Sequence, residues 1–236
     1  MSLSTDPRSV TPLAPDPARF RIWPLWMCAA GLLGVIGTLL SDQRAGESGE
    51  TTDYTVTVAD MADLDHLPFR LGGFAGYLCV AALLVLAAVW NRRVAQRYPW
   101  SLGAPVVTYG LVAAAGALAL AYGWKGALGD YLPGAAEHGA YDDTGLYTYY
   151  VMNDFSPYVG WVPVAVAMAG IAILGLRERL VSRPLGVFAA AVCLLCFGAV
   201  AVTGVPGLPF VSMLGLLVVG MWLAVGNSAI VQEVEA

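Results

Sequence analysis

LGGFAGYLCVAALLVLAAVW, residues 71–90, is a run of twenty residues without one charged side chain. A helix needs about twenty apolar residues to cross roughly 30 Å of hydrocarbon, so this stretch alone predicts a membrane-spanning helix. Five further stretches have the same character: Ile22–Leu40, Gly103–Tyr122, Val159–Leu176, Leu185–Thr203 and Phe210–Val225. None of the six contains Asp, Glu, Lys, Arg or His. The whole chain agrees with them. Of 236 residues, 58% are hydrophobic and 12% charged, and the mean hydropathy is +0.68. A soluble domain carries about 25% charged residues, so a soluble globular or disordered chain is excluded. The net charge of −5 argues against a nucleic-acid binder, which needs clustered Lys and Arg. The predicted fold is an all-α membrane protein, a six-transmembrane-helix bundle.

Arginine sets the orientation. The tail 1–21 holds Arg8, Arg19 and Arg21, the segment after the second stretch holds Arg92, Arg93 and Arg97, and the segment after the fourth holds Arg177, Arg179 and Arg183. With six crossings these segments share one side, and basic residues mark the cytoplasmic one. Both termini are therefore predicted to be cytoplasmic. The other side carries only Arg44, Arg70 and Lys125 against twelve acidic residues. Lys125 is the only lysine beside eleven arginines, a usage that points to a GC-rich bacterial genome and a bacterial cytoplasmic membrane.

The expected organisation is a disordered tail over 1–21, a membrane domain over 22–228 with outer loops 41–70 and 123–157, and a short cytoplasmic tail over 229–236. The proline-rich tail has neither the basic n-region nor the cleavage site of a signal peptide, so the first stretch is read as a retained helix. In the first loop, YTVTV alternates as a short strand would, and MADLDHL reads as a helical turn on the membrane. In the second, Tyr147, Tyr149, Tyr150, Phe155, Tyr158 and Trp161 fit an interfacial aromatic belt or the wall of a binding cleft, with Tyr147, Tyr150 and Trp161 as its ligand-facing residues. Gly31, Gly34 and Gly37, and Gly72, Gly73 and Gly76, are expected to let helices pack closely. Cys193-x-x-Cys196 lies mid-span and is read as two small packing residues, because an apolar setting makes a thiol inert.

Chemistry is sparse. Ion-coupled transporters place ionisable residues at membrane depth, and the six stretches have none, so energy-coupled transport and intramembrane redox chemistry are demoted. The two histidines, His66 and His138, fall one in each outer loop beside Asp63, Asp65, Asp142 and Asp143. Imidazole and carboxylate together offer a divalent-metal site or an acid/base pair. A divalent metal is the one cofactor the loops suggest. The expected partners are the lipid bilayer and another membrane subunit or a second copy of the chain. With no catalytic motif, the leading expectation is a non-catalytic subunit or binding protein. An outer-face metal protein or metal-dependent enzyme is one alternative, and an uncoupled channel or carrier for a small neutral molecule the other.

The connectors NRRVAQRYPWSLG and LRERLVSRPLG, the second ending Arg183-Pro184-Leu185-Gly186, share spaced arginines followed by proline and Leu-Gly. In this feature the chain resembles the uncharacterised six-span integral membrane proteins of GC-rich bacteria. The resemblance implies a fold and carries no functional residue.

Overall fold

The computed structural model describes residues 21–43, 55–205 and 208–232. The tail 1–20 and the hydrophilic segment 44–54 lie outside them, as does Tyr54 of the expected strand. Among the described residues there is no strand: Thr57 is extended, and Val58–Asp63 forms a 3-10 turn. The hydroxyl and N–H of Thr57 both donate to the Asp60 carboxylate, at 2.8 and 2.6 Å. That local pairing competes with a ladder and wins.

The helices are α1 (Leu25–Val35), α2 (His66–Trp90), α3 (Gly103–Tyr131), α4 (Asp143–Leu176), α5 (Arg183–Thr203) and α6 (Pro209–Val225). α1 continues as a π-helical turn over Ile36–Leu40, and α2 as another over Asn91–Ala95. Four helices are long and apolar enough to cross a membrane: α2 with its π turn, α3, α4 and α5. α1 with its π turn, and α6, are shorter.

Local chemistry sets the ends. The Asp65 carboxylate accepts from Leu67 N at 3.0 Å and starts α2, and Asp142 accepts from Gly145 N at 2.9 Å and starts α4. Proline occupies the first turn of α5 and of α6, where its missing N–H costs little. Gly204, at φ 71°, closes α5 in the left-handed conformation.

Successive helices are antiparallel, and α1 also pairs with α6. Cys79 Sγ of α2 lies 3.2 Å from Ala30 O of α1, and Trp90 Nε1 donates to Ala104 O of α3 at 3.0 Å. α4 runs back along α3, with Gly170 against Gly103 and Gly160 against Leu118. The start of α1 is tied to the end of α6, where Arg21 donates its backbone N–H to Ala224 O and its guanidinium to Gly226 O, at 3.1 and 2.9 Å. The described arginines except Arg70 gather at one end of the bundle, and most of the described acids at the other. At the arginine end the 229–232 segment is folded in: Ile230 and Val231 are buried, and Tyr98 and Arg97 donate to Ala229 O and Gln232 O.

Glycines supply the close contacts, as their helical spacing predicts. A Cβ added to any of Gly31, Gly34, Gly37, Gly72, Gly73 or Gly76 would approach a neighbouring helix to 3.3 Å or less. The cysteines are free, with Cys196 buried and its Sγ 3.6 Å from Ser212 Oγ.

The connection at the arginine end is built on Glu178. Its carboxylate accepts from Leu102 N, Gly103 N and Ser101 Oγ, capping α3 from the next hairpin. A carboxylate on unpaired N–H groups at a helix start is a strong cap. Glu178→Ala is expected to cost about 2 kcal/mol and lower Tm by roughly 6 °C, measured by thermal unfolding in detergent; an unchanged Tm would remove Glu178 from the account.

Candidate functional site

The buried face of α3 recurs every three or four residues: Leu111, Ala114, Leu118, Tyr122, Lys125, Leu128. Lys125 holds a core position in that series. This corrects the sequence reading, which ended the third stretch at Tyr122 and gave Lys125 to an outer loop. α3 runs on to Tyr131, and α4 begins at Asp143, well before Val159. Most of the expected 123–157 loop is therefore helix, and only the connection over 132–142 is not.

The extended α3–α4 hairpin builds a second core. Met61, Leu64, Phe69, Leu128, Leu132, Leu146 and Tyr150 are buried together, apart from the main core of the bundle. The 3-10 turn supplies Met61 and packs on α4. We call this unit the acidic lobe, because Asp60, Asp63, Asp65, Asp130, Glu137, Asp142 and Asp143 lie on or beside it. Tyr131, Tyr141 and Tyr149 cluster at its surface, with ring centroids 4.7–5.9 Å apart.

A polar layer separates the two cores. Lys125, 2% exposed, places Nζ 3.3 Å from Ser41 Oγ and 3.3 Å from an Asp42 carboxylate oxygen. Asn153 Nδ2 of α4 donates to the same oxygen at 3.4 Å. The Phe69 ring lies 6.0 Å from the ammonium, within cation–π range. One turn deeper, Thr38 Oγ1 shares a 2.8 Å hydrogen bond with Tyr122 OH and accepts from Trp161 Nε1 at 3.4 Å.

Local backbone irregularities aim these groups. The π turn at Ile36–Leu40 widens the last turn of the first helix; Thr38 and Ser41 are both buried, and such turns often mark functional positions. In α4, Pro157 has no N–H to give to Asn153 O four residues earlier. Ser156 Oγ donates to that carbonyl instead, at 3.0 Å. The layer thus clamps the end of α1 to α3 and α4. It is an enclosed ion pair that can fix the lobe on the bundle, with its one solvent contact at Asp42, whose side chain is 32% exposed.

The residues singled out from sequence are distributed as follows. His66 opens α2, with Nδ1 3.2 Å from Pro133 O and 3.4 Å from its neighbour Asp65. His138 is exposed, farther along the connection that Pro133 begins. Asp65 and Asp142 cap helices, and Asp63 and Asp143 are exposed. Among the described residues no group of three or more His, Cys, Asp or Glu is placed to hold a metal ion. Tyr147 OH donates to Val56 O at 3.4 Å, Tyr150 lies in the lobe core, and Trp161 is fully buried in the main core. The three face three different surroundings. Neither a protein-family model, nor a curated protein, nor a solved structure matches the chain.

Proposed function

We propose that the chain is a six-span integral membrane protein of a bacterial cytoplasmic membrane, with both ends in the cytoplasm. On this reading it acts without catalysis, as a subunit or binding protein whose acidic lobe meets a partner on the outer face. One observation carries the proposal. The lobe has its own apolar core, is clamped to the bundle through Lys125 and Asp42, and carries a surface of carboxylates and clustered tyrosines. A loop that served only to join two spans would need none of this. Tyrosine is enriched at interfaces because one side chain brings both apolar area and a hydroxyl, and the carboxylates favour a basic partner surface.

The orientation rests on the arginine-rich connectors. With cysteines introduced singly at Ala136 and Trp100, both exposed, an impermeant maleimide is expected to label Ala136→Cys in intact cells. Trp100→Cys should be labelled only after permeabilisation. The reverse pattern would overturn the orientation.

The binding role is tested by photo-crosslinking in the native membrane, with benzoylphenylalanine at Tyr141 on the lobe or at Phe74 on the exposed face of α2. A discrete protein adduct is expected from Tyr141 and not from Phe74. No adduct at Tyr141, or equal adducts at both, would refute it.

A further inference from the structure

Two adjoining cavities lie at the arginine end of α6. One is an open groove of about 410 Å³ lined by Leu217, Val218, Met221 and Val225 together with Trp222 and Gly226. The other, about 290 Å³, shares Trp222 and Gly226 and has a mixed wall, polar at Arg179, Ser182, Asn227 and Ser228 and apolar at Leu180, Val181 and Ala229. An apolar slot along α6 thus opens into a more polar cavity at the end of the bundle. That is the division of a phospholipid, with its chain in hydrocarbon and its headgroup at the interface.

The polar cavity favours a negative charge. Arg179 lines it, and Arg177 and Arg183 flank the same connection. Glu178, the acid among them, is turned away onto the start of α3. Ser182 precedes the first turn of α5 and makes no side-chain cap. Its hydroxyl is the one buried side-chain polar atom among the described residues that lacks a hydrogen-bond partner, and the α5 N-terminus it precedes is an end where anions are favoured. Arg179 also stands at φ 58°, the only positive φ outside glycine among the described residues. Leu180 N bonds back to Leu174 O across it, closing α4 with an arginine where glycine is the customary residue. Backbone strain held at a cavity wall is a pointer to function.

We infer that these two cavities together bind an anionic phospholipid, with the headgroup phosphate in the polar cavity beside Arg179 and an acyl chain in the groove along α6. Basic pockets between membrane helices hold acidic lipid headgroups in this way. The inference needs the chain to lie in a membrane but is independent of the acidic lobe and its partner.

The test uses the purified protein in a neutral detergent, with Tm measured after adding dioleoyl phosphatidylglycerol, dioleoyl phosphatidylcholine or glycerol phosphate. Phosphatidylglycerol is expected to raise Tm by about 5 °C near saturation, phosphatidylcholine by much less, and glycerol phosphate not at all. Arg179→Gly removes the charge and relaxes the backbone, so it should abolish the phosphatidylglycerol increment without lowering the lipid-free Tm. Val218→Trp, which fills the groove, should also abolish the increment. Equal shifts from both lipids, a shift from glycerol phosphate alone, or an increment that survives both substitutions would overturn the proposal.

Discussion

Asp42→Asn should destabilise the protein far more than Lys125→Met. Removing the carboxylate leaves an ammonium only 2% exposed with no counter-charge. Stranding one member of a buried pair costs about 3 kcal/mol, or roughly 8 °C in Tm for a chain of this size. Lys125→Met fills similar volume with apolar atoms, and Asp42, one-third exposed, can turn to water; the expected loss is about 1 kcal/mol. The double variant should be more stable than Asp42→Asn alone. Thermal unfolding of the three variants in one detergent reads the coupling. If Asp42→Asn is the milder change, or the two losses simply add, the clamp is not an ion pair.

The second large effect is expected at the contact between α3 and α4. A Cβ at Gly110 would lie 2.7 Å from Ala167 N and 2.9 Å from Pro163 O. Both are backbone atoms and cannot rotate away, so Gly110→Ala must push the helices apart, at about 3 kcal/mol. Gly116 of the same helix has nothing within 4 Å of such a Cβ. Gly116→Ala should therefore be neutral, or stabilising by up to about 1 kcal/mol through helix propensity. The same substitution six residues away is the control, and Tm or retention of the folded peak in gel filtration decides. Equal losses at the two positions would mean that propensity and not packing governs this interface.

How far these features were legible in sequence differs by kind. Apolar composition is a bulk property, and it was sufficient for an all-helical chain with helices long and apolar enough to cross a membrane. The packing glycines were legible because they recur at helical spacing. Helix ends were not. Gly123, Lys125 and Gly126 lower the local hydropathy, yet the period Leu118, Tyr122, Lys125, Leu128 continues through them; periodicity, rather than the hydropathy average, marks α3 to Tyr131. The same bias hid the first four turns of α4, where Asp142 caps a helix rich in tyrosine and polar residues. With those turns assigned to a loop, Lys125 fell outside and its partners Asp42 and Asn153 carried no signal. Their meeting depends on a π turn and a proline-freed carbonyl, which hydropathy does not register. Cluster proximity in sequence, by contrast, suggested His66 and His138, whereas the histidine ring of one is taken up by Pro133 O and the other stands exposed.

The pairing of α1 with α6 has a temporal consequence. Among the six helices α1 is made before the other five and α6 after them. Until α6 is made, Gly31 and Cys28 lack their neighbours on it, and Arg21 has neither Ala224 O nor Gly226 O to hold. The opening helix can therefore dock on α2, and through Gly34 and Thr38 on Trp161 and Tyr122, before α6 completes its seat.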